Sequence, residues 1–465
     1  MLREERTELQ EFSARCVNTY ACKDKGSARS RSGYNPRPFE QRRLTMFTPD
    51  YCAIDFGTSN SAIAIPAGGG MRLAALEPGF HTMPTAVFYN AEDESRSFGR
   101  AAITAYVEGC DGRLMRSIKS VLGSGLMEQT TEIGHGIAVR YLDVVTGYLR
   151  HLKSVAESQL GRRLQRAIIG RPVCFVDGDP ERDAKAQASL ETAALAAGFS
   201  EVAFQYEPIA AAFDYEATIA DEEIVLVADI GGGTSDFSLV RVGPARRDAI
   251  ERHADILASH GIHIAGTDFD LAVNLAAIMP ALGFGSQGPA GRRVPGRVYF
   301  DLATWHLINT VYAHNRVIEL REMITLYADA VRYRRLMTVV TKRLGHHLAA
   351  VAEQTKIEVA QHGLATVDLA AVEAGLKMVF TRAEQDGALE HNAAQIVNAA
   401  LATLRLAGLD AARVGAIYFT GGSTGLGFLT GRIAALFPRA RNVAGDRYSS
   451  VVSGLGIYAM RRFSG

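Results

Sequence analysis

The chain has 465 residues, room for about three folding units, and with 48% hydrophobic and 22% charged residues it is neither a disordered nor a fibrous chain. Fifty basic side chains balance fifty acidic ones, so the cationic excess that nucleic-acid binding leaves is absent, and no nucleic-acid partner is expected. The five cysteines (Cys16, Cys22, Cys52, Cys110, Cys174) contain no C-x-x-C pair, which argues against a disulfide framework or zinc site and for a reducing cytoplasm; no apolar run approaches the roughly 18 residues a bilayer requires, and no signal pattern opens the chain, so no membrane association is expected.

Residues 1–45 are polar and arginine-rich, and the stretch from Ser27 to Pro38 cannot bury enough apolar surface to order itself. They read as a mobile leader, with Met46 a natural start just before the first strand-like run. Acidic Glu4, Glu5 and Asp24 weaken the rival reading of a basic arm. Tyr51 to Ile65 reads as two short β-rich runs joined by a Gly/Ser/Thr/Asn turn. Ala184 to Ala197 reads as a helix closed by Gly198. Ile224 to Val240 repeats the run, turn and run of the first segment, each time with aspartate at the end of the first strand, then glycine, then hydroxyls. The stretch from Gly283 to Gly296 reads as a loop. Arg335 to Gln361 reads as one long helix interrupted by Gly345 and His346-His347, and Ala394 to Leu406 as another closed by Gly408. Alternating strands and helices make the class α/β.

The repeated hairpins carry the chemistry. Glycine turns let backbone N–H groups approach a phosphate tail closely. An aspartate beside them, Asp55 or Asp229, repels bare phosphate but suits hydrated Mg²⁺, which binds through few carboxylates plus phosphate oxygens. One such hairpin is as readily a plain tight turn; a matched pair points to two similar lobes facing one metal-nucleotide. Gly415 to Gly427 adds a buried strand opening into glycines, where Gly421 and Gly422 could lie flat against an adenine or ribose. No G-x-x-x-x-G-K-[ST] loop exists. Gly283 to Gly288 matches G-x-G-x-x-G, but Pro289 and Gly291 follow where a helix should open. His260, His263, His346 and His347 have no third ligand at useful spacing and read as surface or helix histidines.

Asp55-Phe-Gly-Thr-Ser-Asn60 resembles the first phosphate loop of the DnaK-type heat-shock chaperones, and Asp229-Ile-Gly-Gly-Gly-Thr-Ser-Asp236 their second. Further segments match in the family's order: Met115 to Gly123, Ile169 to Pro172, Tyr206 to Ala212, Gly266 to Asp270, Ala352 to Glu358, Thr381 to Glu384 and Thr420 to Ser423. Residues 204–208, Phe-Gln-Tyr-Glu-Pro, are similar to the short bacterial YegD-type chaperones.

The resemblance implies a two-lobed actin-like ATPase with ribonuclease-H-like lobes: lobe I over 46–225, lobe II over 226–450 with a helix-rich inserted subdomain at about 268–378, and a closing helix at 451–465 returning to lobe I. It implies ATP/ADP and Mg²⁺ as ligands and a client or partner protein of unknown identity. Lys119 would face the γ-phosphate and attacking water, and Glu207 would orient that water or the hydrated metal. Asp55, Asp229 and Asp236 would hold Mg²⁺, mainly through water. Gly57, Thr58, Ser59, Asn60, Gly231, Gly232, Gly233, Thr234 and Gly266 would surround the phosphates, with Thr234 also serving catalysis. Glu353, Lys356, Gly421, Gly422 and Ser423 would flank the adenosine. Two positions depart from the family, Ala360 for a serine and Gln187 for an arginine that relays between the chaperone's halves. The likeness ends with the closing helix, so the expectation is a slowly hydrolysing ATPase switch without the peptide-binding half. An actin-like filament subunit or a small-molecule kinase of the same superfold stays as the alternative.

Overall fold

The computed structural model describes residues 49–176, 178–446 and 449–463; the leader expected over 1–45 lies outside the described residues. The structure is α/β and builds the same sheet twice. In the first, the order is Glu201–Tyr206, Arg166–Arg171, Tyr51–Phe56, Asn60–Ala67 and Gly70–Leu73, with the short strand Thr82–Pro84 also pairing to Asn60–Ala67. In the second, it is Arg441–Ala444, Val414–Thr420, Glu223–Ile230, Ser235–Val242 and Ile256–Ile262. Numbered along the chain, each order is 5-4-1-2-3. In each, strands 1, 4 and 5 are parallel and strands 2 and 3 make an antiparallel meander. The hairpins legible as a repeat are therefore strands 1 and 2 of two sheets with one topology.

Both central strands are apolar on both faces, as parallel-sheet strands covered on each side must be. Cys52, Ile54 and Phe56 enter one core with the helices Tyr141–Leu160 and Pro180–Ala196. Leu226, Ala228 and Ile230 enter another with the helices Gly266–Val273, Gly345–His362 and Arg382–Leu406. The alternate faces, Tyr51 and Ala53 from one sheet and Val225 and Val227 from the other, share a third core with Ile209 to Phe213 and Val451 to Phe463. Those last two groups come from the helices Glu207–Glu216 and Ser450–Phe463, which pack on each other; the second also lies on strands of the first sheet.

Three helix expectations shift. Residues 335–361 are not one helix: Ala330–Thr341 ends, Arg343 turns left-handed at φ 54°, and Gly345–His362 begins. Gly345 has to be glycine because a side chain there would meet Ile308 and Tyr312, whose hydroxyl accepts from its N–H at 2.8 Å. The helix expected from Ala394 starts earlier, at Arg382, where Thr381 and Glu384 cap it reciprocally. The helix before Gly198 likewise starts earlier, at Pro180, with Asp179 accepting from the Arg182 N–H. No helix among the described residues is long and apolar enough to cross a membrane.

Candidate functional site

The two hairpin turns meet. Gly232 lies so close to Ser59 Oγ that any side chain would collide with it, and a Cβ on Gly233 would sit 3.5 Å from Thr58 Cγ2. Each turn is fixed by polar bonds. Thr85 Oγ1 donates to Gly57 O at 2.7 Å and lies 2.9 Å from Ser61 Oγ. Gly231 N donates to Thr234 O at 3.0 Å, closing the second turn. Around it, Ser423 Oγ donates to Gly231 O at 2.7 Å, Gly266 N to the same oxygen at 3.2 Å, and Thr267 to Gly232 O through both its N–H and its hydroxyl. Gly421, at φ +86°, packs so closely on Ile230 O and Asp229 Oδ1 that no side chain would fit, and Gly422 begins the short turn to Gly425. Asn60 is exposed at the start of its strand. Residues expected from three separate segments thus converge.

The charged groups converge at the same place. Ile118–Val121 is a single 3-10 turn entered through Ser117 at φ 55°, and it carries Lys119, whose Nζ donates to Glu207 Oε1 at 2.8 Å. Glu207 opens the helix Glu207–Glu216, with Pro208 at the next position where its missing N–H costs nothing. Asp229 faces Asp236 across the hairpin. Burial, then the charges of Asp236, Glu207 and Asp55, push Asp229 up to about 8. Burial, then Glu207, push Asp55 up to about 7, with Lys119 opposing. Burial lowers the Lys119 pKa, but Glu207, Asp55 and Asp236 outweigh it and the net shift is upward. Four carboxyls facing one ammonium leave an excess of negative potential that a cation would relieve. A cavity of about 30 Å³, lined by Glu207, Asp229, Asp236, Ser238, Ser259 and Thr420 among others, opens beside them with room for water. Among the described residues no three such side chains are close enough to chelate an ion directly. All-oxygen donors at that looser spacing fit a hydrated Mg²⁺.

Glu353 and Lys356 form a second group on the helix Gly345–His362. Lys356 Nζ lies 2.6 Å from Asp270 Oδ1, a contact set by charge more than by hydrogen-bond alignment. Burial pushes Asp270 up to about 6, Lys356 opposing. Asp270 belongs to the helix that begins at Gly266, which connects this group to the glycine turns. Arg116 also faces Asp270 and Glu353; burial pulls its pKa down against both carboxylates. Sequence reasoning passed over Asp270 and Arg116 as site residues, although both lie in segments that carry the family likeness. Gln187 accepts from Arg171, which also donates to Asp183 Oδ2 at 2.8 Å, so a guanidinium from a neighbouring strand end stands beside the position where the family has arginine. His346 is buried on its helix rather than at the surface.

Residues 51–276 match the family described as Hsp70 protein. A chaperone protein HscA homolog of Pseudomonas aeruginosa (strain LESB58) is 31% identical over 261 residues, 52% of this chain and 38% of that protein. One from Laribacter hongkongensis (strain HLHK9) is 32% identical over 238 residues, 47% and 35% of the two chains. The chain thus spans well under half the length of these curated relatives. Over residues 51–276 the chain is thus similar to the Hsp70 family of heat-shock chaperones, in the part that carries both glycine hairpins.

Proposed function

We propose that this protein binds ATP with Mg²⁺ between two lobes and hydrolyses it slowly, as a chaperone-like switch acting on a partner protein. The observation that carries the reading is the meeting of the two hairpin turns at Gly232 and Ser59, with the Lys119–Glu207 pair and three aspartates gathered beside them. Backbone N–H groups of Gly57 to Asn60 and Gly232 to Thr234 suit phosphate oxygens, with Gly231 closing the second turn through its own N–H. Asp55, Asp229 and Asp236 suit the waters of Mg²⁺, which would neutralise charge on the phosphate tail. Lys119 and Glu207 would then position the attacking water and stabilise charge as transfer proceeds. Glu353, Lys356, Gly421, Gly422 and Ser423 would hold the adenosine.

In this reading lobe I is 46–225 and lobe II 226–450, with the helices between about 268 and 378 over the adenosine and the last helix tying back to lobe I. The two like sheets support that division, and the shared core between them is a natural hinge region for nucleotide-dependent closure. None of the described cysteines is in a disulfide, which suits a reducing cytoplasm. Calorimetric titration with ATP and ADP, with and without Mg²⁺, tests the proposal. Saturable binding that tightens with Mg²⁺ is expected; no heat with any adenine nucleotide would refute it.

A further inference from the structure

The face of the second sheet that enters the shared core changes character along its length. Side chains alternate between faces on the strand Ser235–Val242, and Val240 and Val242 join the apolar core. The next positions on that face, toward the hairpin turn, are Ser238 and Asp236. Ser238 is 3% exposed. Opposite it on the strand Ile256–Ile262 is Ser259, and the two hydroxyl oxygens lie 3.1 Å apart. Asp236 stands opposite Gly261, where any side chain would collide with Asp236 Oδ1. A buried hydroxyl pair therefore backs a carboxylate whose own cross-strand neighbour is bare.

The cavity of about 30 Å³ beside the carboxylates is lined by both serines as well as by Glu207, Asp229, Asp236 and Thr420. That volume holds about two water molecules. A serine hydroxyl both donates and accepts, so the single bond within the pair leaves one O–H to be satisfied elsewhere. Among the described residues no other hydrogen bond reaches either hydroxyl. A buried donor left unmade costs free energy, and water in the cavity removes that cost while lying within reach of the carboxylates. The exposed Cys174 also lines the cavity, so its water can exchange with solvent. We propose that Ser238 and Ser259 are positioning residues for hydrolysis: they hold water behind Asp229 and Asp236, and that water fixes the carboxylates that face the Mg²⁺ hydration shell and the attacking water. The proposal rests on the ATP-binding reading above.

Threonine and valine have the same shape and differ in the hydroxyl, so Ser238→Thr and Ser238→Val separate loss of the hydroxyl from the added bulk. In the full chain, single-turnover hydrolysis should fall about tenfold in Ser238→Val, while calorimetric affinity for ADP with Mg²⁺ stays within about twofold of the wild type. Ser238→Thr should recover most of the lost rate. A high-resolution crystal structure of the unaltered, nucleotide-free protein needs neither turnover nor a variant: ordered water should bridge the Ser238 or Ser259 hydroxyl to Asp229 or Asp236. A dry cavity, equal rates in the two variants, or parallel loss of rate and affinity in Ser238→Val would overturn the proposal and leave the ATP reading standing. Failure of the unaltered protein to bind or hydrolyse ATP would overturn that reading and, with it, the role given to the serines.

Discussion

Lys119 stands among Asp55, Glu207, Asp229 and Asp236, and its bond to Glu207 holds the ammonium in place. An interaction stronger in the transition state than in the bound substrate raises the rate of transfer, whereas one equal in both raises affinity alone. Lys119→Ala should therefore lower single-turnover hydrolysis about a hundredfold or more, the usual loss for one preorganised electrostatic donor, while ATP affinity falls less. Equal loss of both would make Lys119 a binding residue, and unchanged turnover would remove it from the site. His346 permits a second test with a definite sign. Burial, helped by the Arg116 charge, pushes its pKa down to about 4. Tyr106 and Trp305 also pack on the ring, and its Nδ1 is buried without a partner. With an unfolded-state pKa of about 6.5, the folded protein binds this proton more weakly, so the stability from the neutral ring is fully present above that pH and is lost as pH falls toward 4. Denaturant titrations at pH 7 and pH 5 should show the wild type losing about 2 kcal/mol more than His346→Phe across the interval. Equal losses would mean that the ring titrates as if exposed.

The helix Glu207–Glu216 connects the candidate site to a buried ion network. Glu207 opens it beside Lys119, and Glu216 closes it, 1% exposed, accepting from Arg252 at 2.9 and 3.1 Å and from Gly243 N at 3.0 Å. Arg252, 2% exposed, also pairs with Asp255. Removing one partner of a buried pair leaves an uncompensated charge, so Arg252→Met should cost about 3–5 kcal/mol in urea unfolding. A loss under about 1 kcal/mol would place the network in solvent-like surroundings. The Arg-His-Ala-Asp string holds the Arg252–Asp255 pair but did not announce this network, because Glu216 comes from another element and burial is not written in the string. The strand-turn-strand units were legible for the opposite reason: β-rich runs flanking Gly, Ser and Asn specify a hairpin locally, and the Asp-Gly-hydroxyl order shows twice. The break at Arg343 was hidden because residues 335–361 contain no proline and glycine alone does not end a helix; it takes the approach of Ile308 and Tyr312 to Gly345 to fix it there. The Tyr106–Asn309 contact joins residues 203 positions apart and was out of reach of any window along the chain.

Two sheets of one strand order place their first hairpin turns against each other, so the groups of the candidate site are contributed by both halves and belong to neither alone. A ligand held there would tie the sheets together and bind the folded chain while leaving the unfolded chain alone. It must then stabilise by mass action, by about 2.7 kcal/mol at a free concentration a hundredfold above its dissociation constant. Melting entropy scales with size, and for a unit of roughly 400 residues that free energy corresponds to a rise in Tm of about 3 °C. The rise should depend on Mg²⁺: burial first and carboxylate crowding second push Asp229 up to about 8 and Asp55 to about 7, and the crowding is relieved by a cation and worsened by a bare phosphate tail. With ATP and Mg²⁺ the full shift is expected, with ATP and EDTA a small one, and with GTP less than with ATP. Asp229→Asn separates the metal contribution from the phosphate contribution: it removes one charge from the cluster while keeping the shape of the side chain. In that variant the nucleotide-free protein should melt no lower than the wild type, since an Asp229 raised to about 8 is already largely protonated near neutral pH and the amide mimics that form, while the extra stabilisation from Mg²⁺ should largely vanish. A Mg²⁺-dependent shift equal to the wild type's would show that Asp229 does not face the cation, and a shift absent from wild type and variant alike would remove adenine nucleotide from the meeting point of the two hairpins.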